Sequence, residues 1–70
     1  MDIFVGAFDP KEEKCLVNVR LEGNEEEYSG SVEAGVWVEN VDSRSELYAS
    51  AKAEALALLK RAVAALEAQA

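Results

Sequence analysis

Residues 15 to 22 alternate with a period of two. Cys15, Val17, Val19 and Leu21 fall on one side, and Leu16, Asn18, Arg20 and Glu22 on the other. That is the pattern of a half-buried strand. Upstream, the run from Asp2 to Phe8 is apolar, β-branched and aromatic, and predicts a first strand over about residues 2–8. Asp9-Pro10 and the charges after it predict a turn into the second strand, about 14–22. Gly23-Asn24 and the acids that follow predict another turn. A long third strand is expected over about 27–39, with Tyr28, Val32, Ala34, Val36 and Val38 on one face. Ser29, Ser31, Glu33, Trp37 and Glu39 share its other face. Gly30 and Gly35 mark a bend, a bulge or close packing within it. Short connections make the three strands an antiparallel meander.

From about residue 44 to 67 the period changes to that of a helix. Leu47, Tyr48, Ala51, Ala55, Leu56, Leu58, Leu59, Ala62, Val63 and Leu66 fall in one arc near 180° wide at 100° per residue. An ordinary surface helix shows a stripe of about 100°. Lys52 lies inside the arc, so its stem must run outward to water. At about 1.5 Å per residue the helix is roughly 36 Å long, close to the expected third strand, so the two can lie along each other. The whole chain, residues 1–70, then reads as one small α+β domain of β-β-β-α order, its last residues after Glu67 fraying.

Composition sharpens this. Half of the 70 residues are apolar, but twelve of these are alanine. A chain this short buries a modest fraction of its surface, and the gain from burial is nearly cancelled by chain entropy. Cys15 is the single cysteine and histidine is absent, so neither a disulfide nor a zinc framework can add stability. The same absence removes any Cys–His pair or His relay from the candidate chemistry. Cys15 itself, on the apolar side of a strand, reads as a small core residue. The glycines match no phosphate loop or dinucleotide spacing, and no cofactor is expected.

The net charge of −7 is unevenly spread. Residues 1–42 hold eleven acids and three bases; residues 43–70 hold three acids and four bases. Acidity argues against direct binding to nucleic acid or to an anionic membrane and favours a basic protein partner. The run Glu25-Glu26-Glu27, with Glu22, reads as a solvated hairpin tip; a surface that imitates a phosphate backbone is its functional counterpart. The run lacks the ligand alternation of a calcium loop. The start "MDIFVGAF" has an acidic second residue and too short an apolar run for a signal peptide, and no stretch approaches the roughly 20 apolar residues of a membrane span. With one unpaired cysteine, the expectation is a cytoplasmic protein.

Ser43-Arg44-Ser45-Glu46 has the spacing of a capping box, which accounts for Glu46 without chemistry. Three strands followed by "SRSELYASAKAEALALL" also resemble the first half of the ribonuclease H-like fold. That resemblance implies a metal-dependent nuclease in which Glu46 matches the acid of the first helix and Asp9 the acid of the first strand. The chain departs from it where Asp9 precedes Pro10 in place of a Gly-rich run. Two-metal phosphoryl chemistry needs several converging carboxylates, and here the resemblance supplies two.

One helix covers one face of a sheet, and the uniform face (Val17, Val19, Leu21, Val32, Val36, Val38) should be the covered one. Trp37 then lies on the other, with Leu16 and with Phe4 or Phe8, ringed by Arg20, Glu33 and Glu39. Such a patch is what a protein-contact surface looks like. The broad helix arc and the second-face aromatics together exceed what one sheet and one helix can bury. A homodimer is therefore expected, through the Trp37 face, a strand edge or the helix flank, in a non-enzymatic interaction protein.

Overall fold

A computed structural model describes residues 1–23 and 30–69. Three strands, β1 (Asp2–Lys11), β2 (Lys14–Glu22) and β3 (Ser31–Glu39), precede one helix, α1 (Arg44–Gln69). The strands form an antiparallel sheet in the order β1-β2-β3, and the helix packs across one face, mainly on β3. This is the α+β arrangement that the hydrophobic pattern predicts. The expected beginning of the third strand, with Tyr28 and Ser29, and the acidic run Glu25 to Glu27 lie outside the described residues. None of the described helix is long and apolar enough to cross a membrane.

The covered face matches the alternation. Cys15, Val17 and Val19 of β2 and Ala34, Val36 and Val38 of β3 are buried against Leu47, Ala51 and Ala55. Two expected core positions differ. Leu21 is half-buried and Val32 is exposed, because they form the last row of the sheet, where little of the helix lies over them. The core is also thin on the helix side. Of its three buried residues only Leu47 is larger than alanine, and burying one leucine is worth about 1.5–3 kcal/mol.

β1 is longer than its sequence pattern implies. Asp9, Pro10 and Lys11 pair with Leu16, Cys15 and Lys14, so the Asp-Pro pair belongs to the strand, and only Glu12-Glu13 turn the chain. Pro10 is tolerated because β1 is an edge strand, where a missing N–H can face away from the ladder. A bulge makes the extension possible. Gly6 pairs with Asn18 but Asp9 pairs with Leu16, so β1 carries one extra residue between them, and Ala7 adopts a left-handed φ of 53°. The bulge turns Phe8 to the helix side, where it packs against the core with the Arg44 guanidinium 4.6 Å from its ring centroid.

The helix outruns the sheet. Its 26 residues extend about 39 Å, whereas the nine residues of β3 span about 30 Å. Leu47, Ala51 and Ala55 are buried and Leu59 is half-buried, but every described residue from Lys60 onward is exposed. The apolar arc is therefore only partly covered: Leu56, Val63 and Leu66 are more than half exposed, and Tyr48 and Leu58 more than a third. Ala68 and Gln69 remain helical, so the helix does not fray at Glu67.

Candidate functional site

The pairing register places the side chains of the helix-free face in rows across the strands. Phe4, Arg20 and Glu33 form one row; Gly6, Asn18 and Gly35 the next; Asp9, Leu16 and Trp37 the third; Lys11, Lys14 and Glu39 the last. Trp37 is 52 % exposed and Phe4 51 %, while Leu16 is half-buried between its neighbours. Gly35 leaves room above the sheet: a Cβ there would sit 3.8 Å from Leu16 Cδ1, an ordinary contact.

Of the residues predicted for this surface, the fold brings Leu16 beside Trp37, and Phe4 beside Arg20 and Glu33. It does not bring Phe4 to Trp37. They lie on opposite edge strands, with the Gly6-Asn18-Gly35 row between them, roughly 15 Å apart by strand geometry. Phe8 is not on this face at all, because the bulge at Ala7 has moved it to the other. The surface is thus two apolar points, Phe4 and the Leu16–Trp37 pair, on either side of a low polar saddle.

Its charges are organised. Lys14 Nζ binds Glu39 Oε1 at 3.0 Å, and Lys11 Nζ approaches Asp9 at 3.6 Å. Arg20 binds Glu22 Oε1 at 2.6 Å through Nη2 and lies 3.9 Å from Glu33 through Nε. These pairs are exposed and add little to stability, each below about 1 kcal/mol. Their consequence is electrostatic. All three described cations of the face are engaged by carboxylates of the same face, where the register places five acids: Asp2, Asp9, Glu22, Glu33 and Glu39. The face carries net negative charge around exposed aromatic rings.

No family model, curated protein or solved structure matches the chain significantly. The site therefore rests on its own geometry.

The two acids of the nuclease-like reading stand on different layers. Asp9 shares the helix-free face with Leu16 and is paired with Lys11. Glu46 is exposed in the first turn of the helix, with the sheet between them. Among the described residues no three of Asp, Glu and Cys gather as a metal-binding group. Around Glu46 the cap does form: Ser43 Oγ accepts from the Glu46 backbone N–H at 3.3 Å, and Ser43 C=O accepts from the Leu47 N–H at 3.1 Å. The Glu46 carboxylate does not return the bond; Ser43 Oγ instead meets Ser45 Oγ at 3.0 Å.

Sequence reasoning missed one feature, an apolar cleft on the helix side. The helix sits toward β3, so the β1 half of the covered face lies open. Ile3, Val19 and Leu21 form the floor and Lys52, Ala55, Leu56 and Leu59 the wall of a cavity of ≈ 150 Å³. The signal was present in the alternation of Ile3 and Val5 with Phe4, which marks Ile3 for the covered face.

Proposed function

We propose that the protein is a non-enzymatic interaction module whose helix-free sheet face binds a basic protein. The observation that supports this most directly is the exposed Trp37, half out of water among the carboxylates of the sheet face and bordering Glu54, Leu58 and Arg61 on the outer flank of the helix. Aromatic anchors with a charged rim are the composition of a contact surface. The acid excess selects against nucleic acid and anionic membrane and attracts a cationic patch. In its narrower form the reading is an inhibitor that occupies the nucleic-acid site of a basic protein by presenting carboxylates in place of phosphates. The buried free thiol of Cys15 suits a reducing compartment such as the cytoplasm.

The test uses a short lysine- and arginine-rich peptide and the emission of Trp37, the single tryptophan. Binding should change the emission and should weaken steeply with salt. Trp37→Ala should reduce affinity measured by calorimetry on the order of tenfold or more. A peptide that binds without altering Trp37 emission, or equally well to Trp37→Ala, would reject this face as the site.

A further inference from the structure

The helix carries a second unpartnered surface, independent of the sheet-face reading. Leu56, Leu59, Val63 and Leu66 lie on one flank at steps of three, four and three residues, the spacing of a coiled-coil seam. Leu56, Val63 and Leu66 are 55 %, 53 % and 69 % exposed, and Leu56 and Leu59 line the open cleft beside Ile3 and Leu21. The molecule is also too open for its size. Its accessible surface is 5333 Å², whereas about 4300 Å² is usual for a compact monomer of this mass. The excess, about 1000 Å², is of the order of the roughly 800 Å² that each partner gives to a standard interface, and it is spread over this stripe and the uncovered sheet face. The radius of gyration of 13.6 Å likewise exceeds the roughly 11 Å of a compact domain of this length.

We propose that this stripe is the docking site for a second copy of the chain, with the two helices antiparallel. Leu56 of each copy meets Leu66 of the other, and Leu59 meets Val63. Three observations select a second copy over a foreign helix. The three-four-three spacing reads the same from either end, so an identical stripe running the opposite way matches it layer for layer. The overhang after Leu59 leaves the far half of the stripe clear of its own sheet, so two copies can overlap there without their sheets colliding. Charge fits as well. Residues 43–70 hold three acids and four bases, so joining the helices brings near-neutral segments together and keeps the acidic sheets at opposite ends. In this register Leu66 of the second copy arrives at the cleft of Ile3, Leu21 and Leu56. Lys60 of both copies flanks the centre, their stems free to run outward.

Sedimentation of the full chain tests this. The average mass should rise with concentration from 7.6 kDa toward twice that value. Because like-charged chains are being joined, the association should strengthen between about 0.05 and about 0.5 M salt, opposite to the behaviour of the basic peptide. Val63→Glu with Leu66→Glu alters two exposed residues, so the helix signal in circular dichroism should persist while dimerisation weakens on the order of 100-fold. Trp37→Glu should leave the dimer intact. Spin labels replacing exposed Ala68 should be offset by about 21 Å along the helix axes, given about 1.5 Å per residue on each side of the centre. The roughly 9 Å between the axes, with Ala68 facing away from the seam, puts the two Cα atoms about 25 Å apart and the labels somewhat farther. A chain that stays at monomer mass at every concentration overturns the proposal. So does a Val63/Leu66 variant that dimerises as the parent does, or a dimer lost through Trp37→Glu alone. These results leave the peptide-binding reading of the sheet face to be judged by its own experiment.

Discussion

The side-chain amide of Asn40 donates through Nδ2 to the backbone carbonyl of Glu12 at 2.9 Å, across 28 positions of sequence. The Asn40 backbone N–H donates in parallel to the Glu13 carbonyl at 3.0 Å. One residue beyond β3 thus clamps the tight turn between β1 and β2. The clamp matters because Glu12 adopts a left-handed φ of 56°, which costs a non-glycine residue about 1–2 kcal/mol.

Asn40→Ala should therefore destabilise the fold by about 0.5–1.5 kcal/mol, the net value of one hydrogen bond. Glu12→Gly should do the reverse, by up to about 1 kcal/mol, since glycine takes this φ without strain. Chemical denaturation of both variants measures the pair. Equal and negligible effects would show that the turn is not held from β3.

The bulge at Ala7 makes a second prediction. Ala7→Gly should stabilise by up to about 1 kcal/mol through the same relief of a positive φ. Deleting Ala7 should also be tolerated. Phe8 would then oppose Val17 alone and keep its place on the helix side, in a strand now regular. Chemical shifts of Phe8 and Arg44 that moved to exposed values in the deletion would contradict the assigned register.

Burial separates two aliphatic residues that look alike in sequence. Val17 is fully buried and Leu66 is 69 % exposed. Val17→Ala should cost about 2–3 kcal/mol, through lost contacts and a residual cavity. Leu66→Ala should change the stability of the dilute chain by less than about 0.5 kcal/mol. Thermal unfolding at micromolar concentration separates the two. A large loss at Leu66 under those conditions would mean that the helix end packs on its own chain.

At the helix start, Ser43→Ala should cost about 1 kcal/mol, because the Glu46 N–H loses its acceptor. Glu46→Gln should cost only a few tenths, the value of an exposed acid in the first turn. Magnesium or manganese should leave the melting temperature of both proteins unchanged. A rise of several degrees with the parent that disappears in Glu46→Gln would revive the metal-dependent reading by linkage.

Much of this architecture could be read from period alone. The alternation from Cys15 to Leu21 fixes which side of β2 is covered, and Ser43 ahead of Glu46 and Leu47 marks the helix start. Phe8 was not legible, because a bulge exchanges the faces of everything after it and Ala7 carries no sign of its unusual φ. Asp9-Pro10 was misleading for a related reason: turn propensity is local, whereas an edge position that admits proline is set by strand order. The overhang of the helix was hidden too. Periodicity shows which residues share a flank but not where the sheet beneath them stops, so Leu47 and Leu66 carry the same pattern and meet opposite fates. The Trp37 surface was legible in outline. Its division into two points required the register, which places Phe4 and Trp37 on separate edges.

Ala51 has no exposed surface at all, and Ala55 scarcely any, where the helix meets the sheet. A methyl group is all that the helix contributes there, so the gap between the layers is filled from the sheet side, by Val17, Val19, Val36 and Val38. Larger residues would act as a wedge, prising the helix away along its anchored half, and glycine would loosen the helix itself. These positions leave almost no choice of side chain, in contrast to the far end of the same helix, where every described residue from Lys60 onward is exposed.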